Sequence, residues 1–131
     1  MYLLDTNVFL ELLLHREHTE AVIRLLQSCT QPFYISDFSF HSIGLHLFNK
    51  NKKELFLRFA EDMFRPEGIQ VISLDPQHLP YLVTASSIYR LDFDDAYQYA
   101  ISKSRELILV SYDRDFNKTP EKRMTPEEII G

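Results

Sequence analysis

Four short apolar runs set the frame of this chain: Tyr2-Leu3-Leu4, Phe33-Tyr34-Ile35, Val71-Ile72-Ser73-Leu74 and Leu107-Ile108-Leu109-Val110. Each is too short to be a helix, and the segments between them carry apolar residues at helical spacing. A helix is expected from Thr6 through Leu14, and a second with the stripe Ala21, Val22, Leu25, Leu26 and Cys29. Ser36 or Asp37 can cap a third, which carries Phe40, Ile43, Leu47 and Phe48, with Gly44 permitting close packing. Lys53 to Phe64 is amphipathic, with Leu55, Phe56, Phe59, Ala60 and Met63 turned inward, and Pro66 and Gly68 stop it. Leu79 to Tyr89 presents Leu82, Val83, Ser86 and Tyr89 on one face, and a last long helix opens at Asp92 to Asp95. Strands alternating with helices imply an α/β fold with a parallel sheet covered on both faces.

The 131 residues fit one domain, residues 1–131, with no repeat or linker. No apolar run approaches the roughly 20 residues of a membrane span, and no basic leader is present, so a soluble cytoplasmic protein without a membrane partner is expected. Cys29 is the only cysteine, which excludes an internal disulfide and a thiolate metal cage. The net charge of −5 excludes the global basic field of a simple nucleic-acid-binding module. It leaves room for a metal-dependent nuclease, because a bound cation attracts a phosphate that bare carboxylates repel.

The acids are unevenly placed. Asp5 follows the first strand, Asp113 nearly follows the last, and Asp95 stands in the first turn of a helix. Strand ends on one rim of a parallel sheet are where open α/β folds hold ligands. Three convergent carboxylates are the hard oxygen donors that Mg2+ or Mn2+ prefers. Each acid also has a local alternative: Asp5 and Asp92 can cap helices, Asp94 and Asp95 suit a helix N-terminus, and Asp113 and Asp115 suit turns. His15 and His18 flank a helix break with no further ligand, and Lys50, Lys52 and Lys53 read as a solvated helix start. Tyr97 and Tyr99 could stack on bases, with core packing the simpler role.

Leu4-Asp5-Thr6-Asn7-Val8, then Asp95-Ala96 with Ala100, then Val110-Ser111-Tyr112-Asp113-Arg114-Asp115-Phe116 together resemble a PIN domain, in particular the small single-domain proteins similar to VapC toxins. The resemblance spans nearly the whole chain. It implies a three-layer α/β/α fold and a Mg2+- or Mn2+-dependent endoribonuclease, the toxin of a toxin–antitoxin pair, with RNA as substrate, a small antitoxin protein as partner and a homodimer as assembly. It makes Asp5, Asp95 and Asp113 metal-site carboxylates, with Asp115 an outer or alternative ligand. Asn7 would orient Asp5, Ser111 would stand near the substrate phosphate, and Arg114 and Lys118 beside Asp113 would bind phosphate. Hydrolysis would proceed by in-line attack of a water that the cation activates.

The chain departs from the family at one position. The pattern Ser-x-x-Thr/Ser-x-x-Glu reads Ser36, Ser39 and then Ser42, so a hydroxyl replaces the second acid. Asp37, His41 or the extra Asp94 could compensate. A degenerate PIN fold that acts as an RNA-binding or protein-interaction module is therefore the rival expectation. Phosphoryl transfer on Asp5 lacks the second Asp two residues on, where Asn7 stands.

Overall fold

The computed structural model describes residues Met1–Gly131. Four parallel strands, β1 (Tyr2–Leu4), β2 (Phe33–Ser36), β3 (Gln70–Ile72) and β4 (Ile108–Val110), form one sheet in the order β3-β2-β1-β4. Between β1 and β2 run α1 (Thr6–Leu13) and α2 (Thr19–Ser28); between β2 and β3 run α3 (Asp37–Asn49) and α4 (Lys53–Met63). A 3-10 turn at Pro76–His78 leads into α5 (Leu79–Tyr89), and α6 (Phe93–Ser104) returns the chain to β4 on the far side of β1. After β4 come a second 3-10 turn (Arg114–Lys118) and the short α7 (Pro126–Ile130). This is the α/β/α architecture with a central parallel sheet that the alternation of elements predicts. No helix is long and apolar enough to cross a membrane.

Residue alternation along the strands divides the core into two layers. Leu3 and Leu109, paired in register, face Leu82, Ala85, Tyr99, Ala100 and Ile101 of α5 and α6. Their neighbours Leu4 and Val110, also paired, face Val8, Phe9, Val22, Leu25, Ile43 and Leu47 of α1, α2 and α3. The period of two along a strand is what sends successive side chains to opposite layers. Both faces are thus buried, as the nearly continuous apolar β1 and β4 require.

Several sequence expectations shift. The third strand is Gln70–Ile72 rather than Val71 to Leu74: it is an edge strand paired only with β2, and the Leu74 N–H leaves the ladder to donate to the Tyr97 hydroxyl at 3.2 Å. On α5 the buried residues are Leu82 and Ala85, while Val83 is 62% exposed, because the helix packs on α6 along a narrower stripe than its apolar content allows. Phe48 is likewise exposed at the outer edge of α3. On α4 only Phe59 is fully buried, and Leu55, Phe56, Ala60 and Met63 are half-buried. At Gly44 a Cβ would lie 3.4 Å from the Phe56 ring of α4, at the edge of ordinary contact, so the packing there does not demand glycine. Helix α1 ends at Leu13, and Cys29 caps α2 in an extended conformation.

Candidate metal centre

The chain order creates a crevice at one place. From β1 the chain steps outward to β2 and β3, then crosses back to β4 on the other side of β1, so the connections leaving β1 and β4 diverge to opposite sides. Asp5 stands at the carboxyl end of β1 and Ser111, Asp113 and Asp115 follow β4. The backbone N–H of Asp5 donates to the Val110 carbonyl at 2.9 Å, which continues the ladder to the mouth of the crevice.

Asp5 caps a helix and stands at the crevice. Its Oδ1 accepts from the Thr6 N–H at 2.8 Å and so caps α1. The same oxygen accepts from Gln98 Nε2 at 2.9 Å, and Oδ2 accepts from the Ser111 hydroxyl at 2.7 Å and, at 3.4 Å, from Asn7 Nδ2. Asp5 is 7% exposed. Burial pushes its carboxyl above the ordinary carboxylate range; the bonds from Ser111, Gln98 and Thr6 pull the other way, and the Asp113 charge adds a smaller upward push.

Asn7 ties the two strand ends together. Its Nδ2 donates to Ser111 Oγ at 3.1 Å, more closely than to Asp5, and its Oδ1 accepts from the Tyr112 N–H at 3.1 Å. Ser111 is fully buried, donates to Asp5 and accepts from the Asp113 N–H at 3.0 Å. It is enclosed, and its hydroxyl is engaged by Asp5, Asn7 and the Asp113 N–H.

Asp95, Asp113 and Asp115 form the open side of the site. One carboxylate oxygen of each lies within 4.8 Å of those of the other two, close enough to share a cation. Asp92 caps α6 by accepting from the Asp95 N–H at 2.9 Å, which fixes Asp95 in the first turn. Asp113 caps the second 3-10 turn by accepting from the Asp115 N–H at 2.9 Å, and the buried Phe116 anchors that turn in the α6 layer. A helix N-terminus ordinarily favours a carboxylate. Here burial, followed by the charges of Asp113, Asp92, Asp5 and Asp115, outweighs it and pushes Asp95 up to about 7. At 4.8 Å, two full charges repel by about 3 kcal/mol at an effective dielectric near 20, less where solvent screens them. The donor set consists only of hard oxygens, which fits Mg2+ or Mn2+.

The remaining named residues lie elsewhere or are engaged. Lys118 Nζ approaches Asp115 at 3.6 Å and donates to the Arg90 carbonyl at 3.2 Å, while Arg114 is exposed at the rim. Asp94 is exposed on the outer side of the first turn of α6. Asp37 is exposed and accepts from the Tyr97 hydroxyl at 2.8 Å and the Phe38 N–H at 2.9 Å. His41 lies in an apolar groove with Phe40, Gly44, Leu45, Phe48 and Phe56. Ser42 is half-buried on α3. His18 pairs with Glu127 at 2.7 Å and stacks on Tyr112, so it fastens α7 instead of meeting His15. The buried Tyr99 donates to Glu121 and is closed to bases.

Gln98 is the site residue that sequence reasoning missed. It is 1% exposed, and besides Asp5 its Nε2 donates to Ser39 Oγ at 2.8 Å. Ser39 in turn accepts from the Thr6 hydroxyl at 2.9 Å and its N–H donates to the Ser36 hydroxyl that caps α3. The available signal was spacing: Gln98 lies three residues after Asp95, on the helix face shared with Ser102 and beside the buried Tyr99 and Ala100.

The model of the family described as "PIN domain" matches residues 2–122. The chain is a PIN domain. Its fold is similar to that of a toxin–antitoxin complex chain from Klebsiella pneumoniae, at 20% identity over 96% of this chain and 98% of that one, with a TM-score of 0.77. It is similar also to a chain of FitAcB from Neisseria gonorrhoeae, at 22% identity over 97% and 99% with a TM-score of 0.76. VapC20 of Mycobacterium tuberculosis, a sarcin-ricin loop cleaving toxin, is 16% identical over 89% and 93%, with a TM-score of 0.70. No curated protein sequence matches. The cluster of Asp95, Asp113 and Asp115 draws no residue from α3.

Proposed function

We propose that this PIN domain is a Mg2+- or Mn2+-dependent endoribonuclease that hydrolyses RNA phosphodiester bonds, and that it is the toxin of a toxin–antitoxin pair. The observation that carries this reading is the crowding of Asp95, Asp113 and Asp115 at the switch point of the sheet, with Asp95 pushed up to about 7 by burial and its acidic neighbours. Carboxylates are driven together at that cost where a cation relieves it. Asp95, Asp113 and Asp115 would hold the ion, with Asp5 completing the set from the end of β1. The bound cation supplies charge neutralisation at the phosphate and activation of the attacking water. The chain's own residues do the rest. Ser111 and Gln98 fix the Asp5 carboxylate, Asn7 locks the ends of β1 and β4 together, and Phe116 holds the Asp113 turn. Arg114 at the rim supplies the cationic contact for a backbone phosphate that a chain of net charge −5 otherwise repels.

The toxin–antitoxin context of the relatives in fold supports an antitoxin protein as partner, and exposed apolar residues such as Val83, Ile88 and Phe93 are what a second copy in a homodimer would cover. Purified protein supplied with Mn2+ is expected to cleave RNA, to lose cleavage on chelation, and to arrest growth when expressed alone. Absence of cleavage on a broad RNA panel, with growth unaffected, overturns the reading.

One observation favours a second reading, a catalytically degenerate PIN fold that binds RNA or protein. The α3 wall brings only hydroxyls to the site, and Asp37, the nearest acid in sequence, is bonded to Tyr97. Ser42→Glu separates the two. A site that is complete without this acid changes its cleavage rate by no more than a few-fold, whereas a degenerate one gains activity on the order of 100-fold, the scale on which general acid–base and ligand groups act.

A further inference from the structure

Asp5 meets its surroundings asymmetrically. Both lone pairs of Oδ1 are taken, by the Thr6 N–H at 2.8 Å and by Gln98 Nε2 at 2.9 Å. Oδ2 takes one short bond, from Ser111 at 2.7 Å, and a 3.4 Å approach from Asn7 that lies beyond the ordinary N–H···O range. One lone pair of Oδ2 is therefore held only by this long contact, and Asn7 Nδ2 has its closer partner in Ser111 at 3.1 Å, so a ligand can take it. The two oxygens also look different ways. Oδ1 meets Gln98 of α6, whose Nε2 also reaches Ser39 of α3; Oδ2 meets Ser111, whose hydroxyl also receives the Asp113 N–H.

The orientation of the Gln98 amide is not a free choice. Turned over, its carbonyl oxygen would face the Asp5 carboxylate 2.9 Å away, acceptor against acceptor. In the orientation present, Oε1 is buried and accepts no hydrogen bond from the protein. A buried unpaired carbonyl is unfavourable and calls for a reason. Securing two donors for Asp5 and Ser39 is that reason, because Nε2 serves both from one side chain.

We propose that Gln98 decides how Asp5 meets a metal ion: its amide closes Oδ1, so Asp5 offers only Oδ2, beside Ser111 and the Asp113 backbone, and the neutral group of Ser36, Ser39 and Gln98, drawn from β2, α3 and α6, holds no second ion. Gln98 is thus a positioning residue, and the centre takes one cation. This inference rests on the metal-dependent reading above, and it concerns a residue outside the acidic motifs.

Calorimetric titration with Mn2+ tests it, on wild-type protein, Gln98→Met and Gln98→Glu, with metal-free circular-dichroism melts to establish that each variant is folded. Wild type is expected to bind one ion. Gln98→Met keeps the length of the side chain and removes its donors; it is expected to bind one ion about 10-fold more weakly, the scale on which loss of an outer-shell partner acts. Gln98→Glu places a second carboxylate against Oδ1 and is expected to bind two. A folded Gln98→Met that binds as wild type does, a wild type that binds two ions, or a Gln98→Glu that still binds one overturns the inference and leaves the nuclease reading standing. A wild type that binds no Mn2+ overturns both.

Discussion

The two walls of the crevice are built on opposite principles. On the β4 and α6 side, Asp95, Asp113 and Asp115 crowd within 4.8 Å of one another and tolerate the repulsion. Facing α3, Ser36 and Ser39 join Gln98, which reaches across from one turn further along α6, in a run of neutral hydrogen bonds that ends on Asp5. Asp5 stands between them, Oδ1 bonded to Gln98 and Oδ2 to Ser111, whose hydroxyl also receives the Asp113 N–H. The contrast teaches that charge in this site is concentrated where solvent and a cation can reach it. The buried wall supplies orientation alone, through groups that need no counter-ion.

The largest expected effect comes from removing a charge on the acidic wall. Asp113→Asn keeps the cap on the 3-10 turn through its side-chain oxygen but removes a carboxylate from the cluster. Cleavage should fall by well over the roughly 100-fold upper end for an outer-shell partner, while the melting temperature of metal-free protein at pH 8 should hold or rise, since a charge that repels Asp95 is gone. A Mn2+-dependent cleavage assay checks it. Residual activity within a few-fold of wild type would move the centre of the site off the acidic wall altogether.

Next in size is an effect on stability. Asp95 holds its proton up to about 7 in the folded chain, whereas the free side chain loses it near 3.8. Between those values the folded chain carries the extra proton, so metal-free protein should lose stability as pH rises from about 4 to about 7. Asp5, raised by burial, adds to the same slope. Asp95→Asn cannot ionise and should show a shallower decline and a higher melting temperature at pH 8, by about 2–8 °C for each kcal/mol of strain removed. Added Mn2+ should raise the wild-type melting temperature at pH 8 and leave the variant nearly unchanged. Parallel melting curves for the two proteins across this range would contradict the claim that the acidic wall is strained.

Much of the acidic wall was legible in sequence, because it is local. Asp92 as a cap, Asp95 in the first turn of α6 and Asp113 just past β4 follow from short-range patterns, and the strand runs place them on one rim. The neutral wall was not, because it is built across long separations. Gln98 bonds residues 93 and 59 positions away, and a polar residue inside an amphipathic helix is ordinarily assigned to the solvent face. The same cause misplaced the third strand. Leu74 continues the apolar run, but its N–H finds the Tyr97 hydroxyl rather than a strand partner, and no local pattern carries that information. Val83 fits an apolar face of α5 by spacing, yet whether that face is buried depends on how much of it α6 covers.

The smallest expected effect tests whether the walls are as separate as they look. Asp37, the first residue of α3, is one of the acids that could substitute for Ser42. It is exposed, and its Oδ1 is held by the Tyr97 hydroxyl at 2.8 Å and the Phe38 N–H at 2.9 Å. The Tyr97 hydroxyl also accepts from Leu74, so the interaction fastens the edge of the sheet to α6. Asp37→Asn should leave Mn2+ affinity within about two-fold of wild type, since 1.4 kcal/mol is needed for ten-fold and a non-ligand charge in solvent supplies well under that. Tyr97→Phe should cost about 1 kcal/mol of stability, the net worth of a hydrogen bond, without touching metal binding. If Asp37→Asn instead weakens Mn2+ binding ten-fold while the protein stays folded, the carboxylate leaves Tyr97 to reach the ion, and α3 is an acidic wall after all.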